Sequence, residues 1–212
     1  MTKQMLSRKP RQAGAKLAAE RIRETARDLF YKQGIRAVGV DEIVARAGVT
    51  KPSLYRSFAS KDELVAACLR DRSDDFLRRF DAALTTRPDN PRAGFRLWLE
   101  QLSQKATKSD YRGCALTNAA VEYPERRHPA RLVAAANKRK FRDKLRHAAE
   151  LMGARDAAAL GDALLLLIEG AYASGQLFGA GGPARVIVDA AEMLIDGCCR
   201  NKSGQLQKLP VF

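Results

Sequence analysis

Cysteine is scarce in this sequence and poorly placed for chemistry. Cys68, Cys114, Cys198 and Cys199 contain no C-x-x-C pair, which argues against a zinc knuckle or a dithiol redox centre. The adjacent Cys198 and Cys199 are poor partners for one another, and all four read as reduced, small apolar residues of a cytoplasmic protein. The two histidines, His128 and His147, stand apart from any second ligand at metal spacing. A Gly-rich phosphate loop and a Ser-His-Asp set are also missing, so nothing supports an enzyme, and no metal or cofactor is expected. Long apolar runs are absent too. The basic N-terminus is not followed by an apolar segment of signal-peptide length. The most apolar stretch, Ala163 to Ile168, stops at Glu169, far short of a bilayer span.

Acidic residues are in deficit. Against 38 Lys and Arg stand 24 Asp and Glu, for a net charge of +14 and a pI near 10.0. Such a balance calls for an anionic partner. Residues 1–61 carry a net +9 and the remainder a net +5, so the excess is concentrated in the first quarter of the chain. The first helical stretch interleaves Glu20, Glu24 and Asp28 with its arginines, which does not suit a cationic membrane helix. No membrane partner is expected. Hydrophobic residues make up 46% of the chain, enough for a globular protein of one large or two small domains.

What is present centres on Asp41 to Leu64. Ile43, Val44 and Ala47 line one narrow face of a short helix. Gly48 stops that helix, being the residue that enters the left-handed region at no steric cost. Thr50 then caps a second helix, with Pro52 in its first turn, where a missing N–H costs nothing. Two short helices about a tight glycine turn make a helix-turn-helix, whose second helix enters the DNA major groove. On that second helix Leu54 and Phe58 face inward. Thr50, Lys51, Ser53, Tyr55, Arg56 and Ser57 remain outside, a donor-rich surface without an acid, suited to phosphate oxygens and guanine edges. Ser60 and Glu63 form a capping box that opens a third helix, with Lys61 in its first turn as a further phosphate ligand.

The stretch AGVTKPSLYRSFASKDEL closely resembles the DNA-binding signature of the TetR family of bacterial one-component regulators, over roughly residues 15 to 65. The resemblance implies an all-α homodimer of about nine helices: an N-terminal three-helix helix-turn-helix domain and a larger C-terminal helical domain for ligand binding and dimerisation. By motif position Thr50, Lys51, Ser53, Tyr55 and Arg56 are implied to touch DNA, with Lys61 on the backbone. One position departs from the pattern. Gly39 stands where the family usually has Thr or Ser ahead of the first motif helix, so the hydroxyl contact to phosphate is not assigned here.

The expected organisation is a basic flexible arm over 1–12, able to reach a minor groove, a DNA-binding domain over 13–62, a ligand-binding and dimerisation domain over 63–200, and a polar tail over 201–212. A first amphipathic helix runs from about Ala15 to Gln33, its outward Arg21, Arg23 and Arg27 lying among Glu20, Glu24 and Asp28 as solvated charge with i, i+4 pairs. The helix from Ser60 to about Leu84 is long enough to leave the first domain. Next comes a helix begun by Asn90 and Pro91 that carries Trp98 and Leu102. A short helix after Arg112-Gly113-Cys114 resembles one branch of the same family and places Asn118 and Glu122 on one face. Trp98, Leu102, Asn118, Glu122 and Tyr172 are the candidate ligand residues: few polar groups in an otherwise apolar cavity. Arg126 to Met152 reads as one helix with a solvated basic face. Two final helices, about Asp156 to Phe178 and Pro183 to Arg200, supply Leu164, Ile168, Ala171, Gly175, Ala190, Leu194 and Gly197 to a four-helix dimer interface that the resemblance implies.

The expected function is a sequence-specific DNA-binding transcriptional regulator. The leading form is a repressor released from a palindromic operator in double-stranded DNA by a small apolar or amphipathic ligand. The alternatives are an activator or a thiol-responsive regulator of the same fold, and more remotely a helical enzyme or a basic membrane-surface protein.

Overall fold

The computed structural model describes residues 8–199, with side chains over 14–199. Of the expected arm, residues 8–12 already belong to the first helix; the rest of the arm and the polar tail lie outside the described residues. Among the described residues nine α-helices follow one another: α1 Arg8–Gln33, α2 Val40–Ala47, α3 Lys51–Ser57, α4 Lys61–Thr85, α5 Pro91–Ala106, α6 Ala115–Glu122, α7 Pro129–Leu151, α8 Ala157–Phe178 and α9 Ile187–Cys198. Two 3-10 turns, Gly179–Gly181 and Pro183–Val186, join the last pair. The fold is all-α, and one antiparallel bridge between Ala154 and Cys199 is its sole β feature among those residues.

The chain forms two compact units: residues up to 73 together with 115–134, and residues 74–114 together with those from 135 on. The expected boundary at 62 and 63 lies in the first turn of α4, and the two units divide further along the same helix, after Ser73. The short α6 and the start of α7, expected in the C-terminal domain, group with the helix-turn-helix.

In the first unit α1 packs on α2 and α3. Ile22, Ala26, Leu29 and Phe30 from α1 meet Ile43, Val44 and Ala47 from α2 and Leu54 from α3, all buried. Ile35 and Val38 from the intervening loop close this core, at 4% and 0% exposure. Each large aliphatic side chain removed from water this way contributes about 1.5–3 kcal/mol. α1 ends because Gly34, at φ 90°, turns the chain out while its N–H bonds the Phe30 carbonyl at 3.1 Å. The outer face of α1 differs from expectation. Among the residues with described side chains, Lys32 and Asp28 form an i, i+4 pair there. Arg21 donates instead to the carbonyls of Ala47 and Gly48, and Arg23 reaches Asp71 at 3.2 Å. Arginine is long enough to satisfy a helix end elsewhere in the fold, which helical spacing cannot register.

The second unit is built on aromatic packing. Phe80 meets Trp98 and Phe141 edge-on, each pair with centroids 5.2 Å apart, and Phe76 and Phe95 complete the cluster. Such pairs add about 0.5–1.5 kcal/mol beyond their buried area. Helices approach closely where side chains are missing. A Cβ on Gly161 would lie 2.7 Å from the Arg146 backbone nitrogen, and one on Gly175 2.7 Å from the Ala106 carbonyl.

The basic run on α7 is the solvated face expected only in part: Arg139 and Lys140 are exposed, while the other four cations meet acids of neighbouring helices. Lys138 pairs with Glu169, Lys144 with Asp81 at 2.6 Å, and Arg142 and Arg146 both grip Asp162 at 2.5 and 2.8 Å. The two guanidinium groups hold the Asp162 carboxyl well below the usual carboxylate range.

α8 also departs from expectation in two ways. With the turn that follows it, Ala157–Gly181 is long and apolar enough to cross a bilayer. That length does not free it from the fold: Leu160, Leu164, Ile168, Ala171 and Tyr172 are buried in the core, and Asp162 and Glu169 are ion-paired to α7. Secondly, Leu164, Ile168, Ala171 and Gly175, expected at a dimer interface, turn inward within their own protomer. The outward stripe is offset by a fraction of a turn, through Ala159, Ala163, Leu166, Gly170, Ala173 and Leu177, with Leu166 at 75% and Leu177 at 77% exposure. Both stripes have helical periodicity, so sequence alone does not rank one over the other.

Candidate nucleic-acid interface

α2 and α3 are joined by a turn held on three sides. Gly48 sits at φ 60°, ψ 43°, and its N–H and that of Val49 return to α2 carbonyls. Arg21 caps the same end of α2 from α1, so close that a Cβ on Gly48 would lie 2.6 Å from its Nη2. α2 begins at Gly39, whose extended backbone makes the cap without any side-chain bond. Thr50 caps α3 as expected, its hydroxyl accepting the Ser53 N–H at 3.4 Å. Leu54 is fully buried beneath α3 and Phe58 is 5% exposed, so the opposite face is bound to look outward. At α4, Ser60 accepts the Glu63 N–H at 3.1 Å, while Glu63 reaches back to Ala59 N–H at 2.7 Å rather than to Ser60.

Thr50, Lys51, Tyr55 and Arg56 are exposed together on α3, with Ser53 half-buried among them. Arg56 donates to the Ser53 hydroxyl at 2.9 Å, and Thr50 and Ser53 share a hydroxyl contact at 3.1 Å. This network holds the donors at fixed heights along the helix. Tyr55 stands beside them, 50% exposed. Lys51 pairs with Asp41 of α2 at 2.7 Å. The hydrogen bond and charge of Asp41 raise the Lys51 ammonium above its ordinary value, so it remains charged throughout the physiological range.

Lys61 sits apart from this group. Its Nζ donates to the Ile35 carbonyl at 2.7 Å, it is half-buried, and burial lowers its pKa. The position matches the motif; the side chain is engaged in holding the α1–α2 loop.

The candidate ligand residues are divided between the two units. Trp98, Leu102 and Tyr172 are buried in the second unit, at 7% exposure each. Asn118 and Glu122 belong to the first, where Glu122 accepts the Arg36 N–H at 2.8 Å. An acid at the end of a short helix satisfies a loop amide, an arrangement that face periodicity does not reveal. Of the candidate dimer residues, Ala190, Leu194 and Gly197 on α9 are half-exposed.

The cysteines differ in setting. Cys68 is buried with its thiol donating to the Arg23 carbonyl at 3.6 Å, and burial pushes its pKa up to about 12. Cys114 accepts from Lys138 Nζ at 3.4 Å, and Cys198 and Cys199 are half-buried. Among the described residues no three His, Cys, Asp or Glu side chains are grouped to hold a metal ion.

Residues 22–68 match the family described as bacterial regulatory proteins, tetR family. The chain is 45% identical over 65 residues to the HTH-type transcriptional activator FasR of Mycolicibacterium smegmatis, a match covering 31% of this chain and only 30% of that regulator. Solved structures extend the likeness further. A TetR-family transcriptional regulator of Streptomyces coelicolor superposes with a TM-score of 0.74 at 31% identity, covering 86% of this chain and 94% of that one. A Streptomyces avermitilis structure described as a TetR transcriptional regulator gives 0.75 at 34% identity, covering 85% and 97%. With two relatives of that identity spanned almost end to end, the chain belongs to the TetR family of bacterial transcriptional regulators, which are not enzymes.

Proposed function

We propose that this protein binds a palindromic operator as a homodimer in the cytoplasm and represses transcription until a small apolar or amphipathic molecule releases it. The observation that carries the DNA reading is the outer face of α3: Thr50, Lys51, Ser53, Tyr55 and Arg56 on one capped helix, with no acid within it. Hydroxyls and the ammonium suit phosphates, which set the register. Arg56 has the fork that reads guanine. Lys61 is dropped from the direct contacts, because it already serves the Ile35 carbonyl.

The dimer is assigned to the outward stripe of α8 with Val186 of the preceding 3-10 turn and Ala190, Met193 and Gly197 of α9. Exposed Leu166, Leu177, Val186 and Met193 form an apolar surface that a two-fold copy of itself would cover. Gly170 and Gly197 have open space where a Cβ would stand, so a partner helix can approach closely there. For the ligand, the candidates retained are Trp98, Leu102 and Tyr172 in the second unit. A ligand acts only through different affinities for the DNA-competent and the released dimer.

Fluorescence anisotropy of the full chain tests the DNA reading, using the intergenic duplex beside its own gene and a shuffled duplex while salt is raised to physiological strength. Preference for the native duplex that survives the salt series supports a sequence-specific regulator, since phosphate-only binding falls steeply with salt. Lys51→Ala with Tyr55→Ala should abolish that preference and leave a folded dimer. Retained affinity in the double variant would remove these two residues from the interface.

A further inference from the structure

The polar motif that the DNA face leaves unused runs from Glu122 to Arg131. α6 ends at Glu122, and its carboxylate turns to the loop over 34–39, accepting the Arg36 N–H at 2.8 Å. The Glu122 oxygens lie over Gly34, where a Cβ would come 3.5 Å from Oε1. Tyr123, next in the chain and 8% exposed, has the Arg36 guanidinium 5.4 Å from its ring centroid and the His128 imidazole stacked at 3.7 Å. His128 Nδ1 accepts the Ala130 N–H at 3.2 Å, which leaves Nε2 toward Asp62 at 3.4 Å. Arg131 donates to the carbonyls of Ala120 and Tyr123 at 2.7 and 3.3 Å and so holds the corner closed.

The targets of these contacts are the two ends of the helix-turn-helix. Residues 34–39 lead directly into α2, and Asp62 stands in the first turn of α4, directly after α3. Lys61 joins the same two places through its bond to the Ile35 carbonyl. None of the corner residues lies on the donor face of α3, yet together they hold the segments before and after it. The apolar core holds these helices together; the bond from the Arg36 N–H to the Glu122 carboxylate is directional, so it fixes angle as well as proximity, and His128 places its ring edge 3.4 Å from Asp62.

We propose that the α6–α7 corner is a strut that sets the pitch of the recognition helix, with Glu122 and His128 as positioning residues for operator recognition. The inference rests on the operator-binding reading above.

The test uses the full chain with Glu122→Ala, Glu122→Gln and His128→Ala. Anisotropy is read on the operator and on a shuffled duplex, with selection from a duplex library that varies half-site spacing. Both Glu122 variants lose one negative charge, so the general effect of charge on DNA binding cancels between them. Glu122→Ala and His128→Ala should each weaken operator binding by about tenfold and broaden the selected spacing. Binding to the shuffled duplex should stay within about twofold of wild type, because the phosphate-contacting cations are untouched. Glu122→Gln keeps an oxygen acceptor for the Arg36 N–H and should recover most of the operator affinity. Hydrogen exchange over 34–39 should quicken in Glu122→Ala and stay near wild type in Glu122→Gln.

Wild-type spacing and affinity in Glu122→Ala would overturn the strut. So would a Gln variant as weak as the Ala variant, or an equal loss on both duplexes with lowered thermal stability. A wild-type protein that does not distinguish the two duplexes defeats the operator reading alone. Exchange over 34–39 then still decides whether Glu122 holds the loop.

Discussion

Lys51 reaches the free protein's surface already engaged by Asp41, so a phosphate must compete with a carboxylate for it. Surface ion pairs are weak and salt-screened, which makes the competition adjustable rather than prohibitive. Asp41→Asn should therefore strengthen binding to any duplex by about threefold at low salt, and the gain should fade as salt rises. Anisotropy on operator and shuffled DNA would register it; an unchanged salt series would mean that Lys51 is not at the interface. Arg21 shows the complementary case. It looks like one of several solvated arginines in the sequence, yet it caps the end of α2 beside Gly48. Residue type and helical position were readable; the partner 26 positions away was not.

At the scale of elements, α7 and α8 are joined by charge as well as by packing. Asp162 receives Arg142 and Arg146 together, and the close approach that Gly161 permits brings them within reach. Because its folded pKa is depressed below the ordinary 3.8, the carboxylate stabilises the fold above that value. The contribution is lost as the pH falls further. Asp162→Asn should lower the thermal midpoint at neutral pH and flatten the acid limb of the stability profile below about pH 4. Calorimetry from pH 7 to 3 would check this, and parallel curves for the two proteins would count against it. Helix limits were largely legible: Asn90 and Asp156 cap α5 and α8 where their chemistry places them. The direction of each charged face was not, because the acids that meet the α7 cations come from α4 and α8.

For the whole molecule, the proposed operator binding makes symmetric pairing the condition for two recognition helices to meet one duplex. The second half-site binds at an effective concentration set by the first, so a monomer loses most of the affinity. Leu166→Glu with Leu177→Glu puts carboxylates into the outward stripe of α8 while leaving the buried Leu164 and Ile168 untouched. Sedimentation should then show monomer, unaltered helical content and operator affinity reduced by more than about tenfold. A dimer that persists would move the interface elsewhere.

Read alone, the sequence determined the helical class, the helix-turn-helix and the donor face of α3. Those depend on neighbours within a turn or two: a glycine that must go left-handed, a threonine that caps, an i, i+4 apolar pair. Tertiary structure decided which of two periodic stripes on α8 is core. It also carried α6 into the DNA-binding unit and bound Glu122 to Arg36, 86 residues away. The reason is physical. Helical periodicity constrains which residues share a face, but which face is covered depends on helices distant in sequence, and a carboxylate takes whichever donor the packing brings to it.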